Sequence, residues 1–389
     1  MTMMTTCGIQ PRILIADDQH DLLDALRLLL KAEGILMDSV TSPDAVVDAV
    51  CRQTYDLLLM DLNYTSDTTS GREGIDLLAR VQQHDSLLPV VVMTGWGSVD
   101  LAVEAMRHGV CDFVQKPWDN TQLVTTLRAE IDKGRTRRHQ RQLEARELDE
   151  ARRIQRKLLP ATLPQMEGCE LAASWQPASG VSGDCFDAIA FGPTRLGLSI
   201  ADVVGKGIPA ALLMSNLQAA VRAFATDTAQ PAELCQQVNR ILCGNIAEGR
   251  FISFVYCILD VDMGILTYSN AGHYPPMLVH ADGSLERLAA GGPVMGVFPD
   301  AAYKQDRVAV GKGDRLVLFT DGITEVLRAG EDAEGPEHVD FSEERLAALS
   351  VEHRACSAKT LQARLVASVS AFAGGAFQDD ATLIVLAVE

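Results

Sequence analysis

Residues 56–61 read Asp-Leu-Leu-Leu-Met-Asp, four apolar side chains closed at each end by an acid. A run with no polar alternation fits a strand buried on both faces of a parallel sheet. Outward from it the theme repeats. Arg12–Asp17, Leu36–Val40, Pro89–Thr94 and Cys111–Gln115 are strand-like, while Asp21–Glu33, Pro43–Arg52, Gly74–Gln83 and Val99–His108 have helical spacing. Ser42 is placed as an N-cap, with Pro43 at the first helical position. Strands alternating with helices in this way predict a doubly wound α/β domain with a five-stranded parallel sheet over residues 10–120.

Residues 121–160 form one polar stretch with helical propensity, broken by no proline before Pro160 and weakened only by Gly134. Between Arg128 and Lys157, eleven basic residues face six acidic ones, a local balance of +5. Leu148, Ala151, Ile154 and Leu158 make a thin apolar stripe. Such a stripe fits either a solvated interdomain helix or a short coiled coil joining two copies of the chain.

From Gly168 to residue 389 the pattern changes. Strand candidates crowd together at Leu171–Trp175, Cys185–Phe191, Arg195–Ala201, Ile252–Leu259, Ile265–Asn270, Pro276–His280, Arg315–Thr320 and Ala381–Val388. Helical stretches occupy Ile208–Phe224, Pro231–Ala247 and Ala358–Ala373, and the acidic Gly330–Val339 reads as a surface loop. This mixture predicts an α+β domain of packed antiparallel sheets flanked by helices.

The chain has 389 residues, 47% apolar and 22% charged, which suits two or three globular domains and excludes a disordered or fibrous protein. The formal charge of −18 disfavours non-specific binding to nucleic acid or anionic membrane. No apolar run is long enough to span a bilayer, and the first residues lack a signal-peptide pattern. The nine cysteines are scattered without a Cys-x-x-Cys pair, as expected of reduced thiols in the cytoplasm.

Two sets of polar residues carry chemistry. In the first domain, Asp17 and Asp18 follow the first strand and Asp61 the third. Ligands bind outside the carboxyl ends of strands in open α/β sheets, and three crowded carboxylates call for a hard divalent cation. Thr94 and Lys116 close the fourth and fifth strands and offer a hydroxyl and an ammonium to a phosphorylated aspartate. Ala16-Asp17-Asp18, Met60-Asp61-Leu62, Met93-Thr94-Gly95 and Asp112-Phe113-Val114-Gln115-Lys116-Pro117-Trp118, in this order, resemble the receiver domain of two-component response regulators. The resemblance implies that Asp61 accepts a phosphoryl group from a sensor histidine kinase. It implies one Mg²⁺ held by Asp17, Asp18, Asp61 and the Asn63 carbonyl, contacts to the phosphoryl group from Thr94 and Lys116, and a switch aromatic at Phe113. The interval from Asp61 to Gly74, containing Tyr64–Arg72, is longer than receivers usually have.

In the last domain, acids stand in Ser182-Gly183-Asp184, Ala201-Asp202-Val203-Val204-Gly205-Lys206-Gly207, Thr320-Asp321-Gly322 and Asp379-Asp380-Ala381-Thr382. Adjacent glycine admits close backbone approach. Carboxylates without His or Cys partners favour Mg²⁺ or Mn²⁺ over zinc, and two such ions activate a water for in-line attack on phosphorus. There is no Ser-His-Asp elbow and no Cys-x₅-Arg loop.

These turns resemble the PPM-type metal-dependent serine/threonine phosphatases, in their bacterial stress-response and sporulation branch. So do Ala271-Gly272-His273-Tyr274-Pro275-Pro276, Gly292-Pro293-Val294-Met295-Gly296 and the linker end Ala151–Pro160. The resemblance implies two Mn²⁺ or Mg²⁺ ions. Asp202 bridges them beside the Val203 carbonyl, Asp184 serves one ion, Asp321 and Asp379 serve the other, and Asp380 and Gly322 lie behind the ligands. His273 fits either a general acid or a buried structural histidine. Lys206 fits either an anion contact or a solvated turn. The resemblance further implies a phosphoserine or phosphothreonine protein as substrate, an anti-sigma-factor antagonist of the partner-switching type. Its rival is a non-enzymatic adaptor switched by phosphorylation, whose expected mark is loss of the metal-site acids. No helix-turn-helix or kinase loop follows the receiver-like domain.

Overall fold

The computed structural model describes residues 10–62, 72–95, 104–178, 180–247, 249–328, 340–375 and 377–389. The chain divides into two compact units, Met1–Arg146 and Glu147–Glu389.

The first unit is a five-stranded parallel sheet of β1 (Arg12–Ala16), β2 (Leu36–Val40), β3 (Leu57–Asp61), β4 (Val90–Thr94) and β5 (Asp112–Gln115), in the order β2-β1-β3-β4-β5. Alternation along the strands splits the core in two. Leu14, Leu58, Met60 and Val92 pack toward Val46, Leu77 and Val81 on one face. Ile13, Ile15, Leu59 and Val91 pack toward Leu26, Leu30, Leu123 and Leu127 on the other. Helices span His20–Ala32, Pro43–Arg52 and Arg72–His84, and residues 104–107 are helical. Ser42 caps the second of these helices, its hydroxyl accepting from the Ala45 amide at 3.4 Å. Of the expected helix Val99–His108, residues 99–103 lie outside the described residues, as do Asn63, Tyr64–Gly71 and the loop 330–339.

One helix runs without a break from Asn120 to Leu158. Gly134, which sequence alone marks as its weak point, has a packing role. A Cβ there would lie 2.3 Å from Pro89 Cγ, so glycine admits the helix against the loop before β4. Arg135 then grips Asp56 through Nε and Nη2 at 2.7 and 2.9 Å, and Arg138 Nη2 reaches Asp85 at 2.6 Å. Of the expected stripe, Leu148 and Ile154 are 37% and 57% exposed and Ala151 and Leu158 half-buried, while Gln155 and Leu159 beside it are buried. Among the described residues no helix is long and apolar enough to cross a membrane.

The second unit is a four-layer sandwich. One sheet has the order β13-β10-β9-β8-β7, with β14 on β10. It is built of β7 (Cys185–Phe191), β8 (Arg195–Val203), β9 (Ile252–Asp260), β10 (Ile265–Ala271), β13 (Gly291–Gly292) and β14 (Asp306–Ala309). The other has the order β12-β11-β15-β16-β6, from β6 (Cys169–Gln176), β11 (Met277–Val279), β12 (Leu285–Arg287), β15 (Arg315–Phe319) and β16 (Ala381–Val388). Period-two alternation again divides the core. Leu316, Leu318, Ile384 and Leu386 face the first sheet, which carries the helices Ile208–Phe224 and Pro231–Cys243. Val317, Phe319, Leu383 and Val385 face the helices Glu343–Glu352 and Ala358–Phe372. Strands β12, β13 and β14 and the helix Glu343–Glu352 were not anticipated, and the helix from Pro231 ends at Cys243, four residues early.

Candidate functional site

In the first unit the chain leaves β1 toward β2 on one side and returns through β3 on the other, so the order of strands switches between β1 and β3. Asp17, buried, and Asp18, half-buried, follow β1, and Asp61 ends β3. Lys116 Nζ donates to Asp17 Oδ2 at 2.7 Å and to Asp61 Oδ2 at 2.6 Å. Burial pulls the Lys116 ammonium down, but its hydrogen bonds and charge contacts with Asp17 and Asp61 outweigh this and hold it above the ordinary lysine value. Thr94 is buried at the end of β4, one position beyond Met93, which pairs with Asp61. Phe113 is 45% exposed. Asp17, Asp18, Asp61, Thr94 and Lys116 stand at the carboxyl ends of the strands, whereas Phe113 pairs with Val92, two positions short of that end, and Asn63 lies outside the described residues.

In the second unit, register brings the acids together. Cys185 pairs with Ala201, so Asp184 and Asp202, one step further on, stand side by side at the end of β7 and β8. A Cβ on Gly183 would lie 2.9 Å from the Val203 carbonyl oxygen, so glycine lets the two chains close at this point. On the opposing sheet, Phe319 pairs with Leu383, and the Thr382 amide donates to Thr320 Oγ1 at 2.9 Å. Beyond that pair Asp321 opens the turn of helix Asp321–Thr324, and Asp379 and Asp380 precede β16. Gly322 is obligatory there, because a Cβ would meet the Asp380 carbonyl oxygen at 2.0 Å.

The two sheet ends are joined through Asp184. Its Oδ2 accepts from the hydroxyls of Thr320 and Thr382, each at 2.7 Å, while Oδ1 is buried with no partner. Burial and the nearby Asp202 charge push the Asp184 carboxyl well above the usual range. Burial, then the charges of Asp321, Asp379 and Asp380, pushes Asp202 up to about 7. Burial, then Asp379 and Glu325, pushes Asp321 up to about 6. Asp380 is buried, accepting from the Ala178 and Gly183 amides at 2.9 and 2.8 Å. Asp379, more exposed, pairs with Lys206 at 2.9 Å. A cavity of about 340 Å³ opens beside Asp321 and Asp379, lined also by Lys206, Glu325 and Asp340.

Among the described residues, no three His, Cys, Asp or Glu side chains are already disposed around one point as metal ligands. The donor set nevertheless suits hard cations. It is all oxygen, one buried carboxylate oxygen is orphaned, and the crowded acids raise one another's proton affinity for want of positive charge. His273 is a structural histidine. It is buried, its Nδ1 accepts from Ser253 Oγ at 2.7 Å, its Nε2–H donates to the Phe319 carbonyl at 3.0 Å, and burial lowers it to about 4. Lys206 is placed on Asp379 rather than in free solvent. Sequence reasoning quoted Thr320 and Thr382 without giving them a task. Their signal was a threonine within two residues of an acid in each turn, where a hydroxyl can donate to a buried carboxylate.

An α/β unit with a lysine-bridged acid cluster, followed by an acid-ended sandwich of two sheets, defines a response regulator with a phosphatase-type output domain. The chain belongs to the family Stage II sporulation protein E (SpoIIE) through residues 192–389, and residues 13–128 match the response regulator receiver domain. It is 33% identical to the phosphoserine phosphatase RsbU of Bacillus subtilis over 241 residues, covering 62% of this chain and 69% of that protein. It is also 33% identical over 128 residues to the transcriptional regulatory protein FixJ of Bradyrhizobium diazoefficiens, covering 33% of this chain and 58% of that protein. The solved SiaA-PP2C domain of Pseudomonas aeruginosa superposes with a TM-score of 0.55 at 20% identity, over 64% of this chain and 98% of that one, a likeness of fold.

Proposed function

We propose that this chain is a response regulator whose output is the metal-dependent hydrolysis of phosphoserine or phosphothreonine on a partner protein. The observation that carries this reading is the meeting of Asp184, Asp202, Asp321 and Asp379 at the sheet ends, with the Asp184 Oδ1 atom buried and unpartnered. Asp202, with the Val203 carbonyl beside it, and Asp184, Asp321 and Asp379 would hold two Mn²⁺ or Mg²⁺ ions. Asp380 and Gly322 set the backbone behind them. Two hard cations supply Lewis acidity and charge neutralisation for direct attack of water on a phosphate ester. Thr320 and Thr382 orient the Asp184 carboxylate, and Lys206 offers positive charge at the mouth of the cavity.

Control is assigned to the first unit. Asp61 would take the phosphoryl group from a sensor histidine kinase, Asp17, Asp18 and Asp61, with the Asn63 carbonyl, would hold one Mg²⁺, Thr94 and Lys116 would contact the phosphoryl group, and Phe113 would be the switch aromatic. Domain limits of 10–120, 121–160 and 168–389 fit this division of labour. Similarity to the phosphoserine phosphatase RsbU supports a phosphoserine substrate, and the partner proposed is a phosphorylated anti-sigma-factor antagonist. The exposed Leu148 and Ile154 support pairing of two chains through the linker helix. A non-enzymatic adaptor has no need of the full acid set, and every one of those acids is present.

The test is release of phosphate from a phosphoserine peptide by the full chain in Mn²⁺. Asp202→Ala is expected to lower turnover at least about 10³-fold, several kcal/mol of lost stabilisation. Equal turnover by the two proteins would overturn the reading.

A further inference from the structure

Gln155 is a buried polar side chain to which the metal-site reading gives no task. It lies in the last turn of the helix Asn120–Leu158 and is 3% exposed, while Arg152, Arg153, Arg156 and Lys157 around it are exposed. Its carboxamide closes a reciprocal pair on one residue. Nε2 donates to the Ser182 carbonyl at 2.6 Å, and the Ser182 amide donates to Oε1 at 2.9 Å. Ser182 is itself fully buried, and its hydroxyl accepts from the Asp184 amide at 3.0 Å. The next amide, that of Gly183, donates to Asp380 Oδ2 at 2.8 Å. Three consecutive amides leading to Asp184 are thus each met by a side chain, and only the first of those side chains comes from the linker helix. A second contact falls on the same segment. Gly180 has φ +37°, and a Cβ there would lie 2.8 Å from Leu148 Cγ, so the helix lies close against the strand of chain that delivers Asp184.

We propose that Gln155 is a positioning residue for the Asp184 side of the metal site, fixing the Ser182 backbone so that the orphaned Asp184 Oδ1 faces its ion. The inference rests on the phosphatase reading above. Buried backbone groups need partners, and Ser182 takes both of its partners from one carboxamide. A side chain of the same shape without those atoms frees the segment at a single point. The same helix carries Arg135 and Arg138, which hold Asp56 and Asp85 within the first unit. One continuous helix therefore carries side chains that bond within the first unit and, in its last turn, the side chain that holds the approach to Asp184.

The experiment uses the full chain and three variants, with Mn²⁺ binding followed by the paramagnetic resonance of free Mn²⁺ and amide exchange followed without metal. Gln155→Met is expected to raise the half-saturating Mn²⁺ concentration about tenfold, in the range for partners that orient metal ligands. It should also expose the Ser182 amide to exchange while keeping turnover at saturating Mn²⁺ within about twofold. Gln155→Glu retains the acceptor for the Ser182 amide and should fall between parent and Gln155→Met, about threefold; it carries the test if Gln155→Met does not fold. Gln218→Leu, which removes a different bond to the helix end at the Leu158 carbonyl, should lower thermal stability and leave Mn²⁺ binding unchanged. Unchanged half-saturation in the folded Gln155 variants overturns the proposal. So does an equal rise in Gln218→Leu, which would mean general loosening. A parent that binds no Mn²⁺ sinks the metal-site reading and this inference with it. A parent that binds it, with variants that bind it equally, sinks only this one.

Discussion

Both units gather carboxylates at the ends of strands, and they neutralise them in opposite ways. In the receiver unit Lys116 bridges Asp17 and Asp61 from within the chain. In the sandwich no lysine or arginine among the described residues enters the centre of the cluster. Lys206 reaches only the more exposed Asp379, and Asp202 and Asp321 are left with proton affinities raised to about 7 and about 6. On the function proposed above the difference is one of chemical task. A cluster closed by its own ammonium needs no cation to offset its charge. A cluster left with net negative charge and an orphaned oxygen is suited to hard cations.

The sharpest way to break that comparison is pH. Asp202 and Asp321 have folded pKa values above the unfolded carboxylate value near 4, so the folded state holds more protons between about pH 4 and 7. Stability of the metal-free chain should therefore fall as pH rises through that window, by about 3 kcal/mol after allowance for solvent screening. Added Mn²⁺ should restore it above pH 7, as read by chemical denaturation with chelator or with metal. Lys116 works with the other sign. A raised lysine pKa contributes stability that is complete below about 10.4 and lost only above it, so the receiver cluster adds no slope between pH 5 and 8 through this residue. A metal-free chain equally stable at pH 5 and pH 8 would remove the contrast.

A smaller effect tests the receiver side. Lys116→Met leaves Asp17 and Asp61 without their bridge and should cost about 2 kcal/mol, less than a fully buried pair because Lys116 is partly exposed. Added Mg²⁺ should recover part of this loss, making the first cluster behave like the second. Stability of the variant indifferent to Mg²⁺ would argue against that equivalence.

The smallest effect concerns what sequence could and could not reveal. The receiver strands were legible because Leu57–Met60 and Val90–Met93 are unbroken apolar runs, and β16 because it is eight residues long. Strands β12, β13 and β14 were not, since a strand of two to four residues has no periodicity to detect and Gly291–Gly292 has no side chains to show one. The acids of both sites stood out by their glycine-flanked turns. Gln155 did not, because in a helix crowded with polar residues nothing local separates a buried glutamine from a solvated one. Gly134 was read as a flaw in the helix, since sequence cannot show that Pro89 lies against it. Gly134→Ala should make the point measurable. Helix propensity alone would stabilise by about 1 kcal/mol. The collision with Pro89 should instead give a net loss of about 1 kcal/mol in unfolding free energy.

The most direct measurement is the number of Mn²⁺ ions bound per chain, counted by equilibrium dialysis with Asp17→Asn blocking the receiver site. The arrangement of Asp184, Asp202, Asp321 and Asp379 predicts about two ions, and loss of both when Asp202→Ala is added. Binding that survives the removal of Asp202 would contradict it.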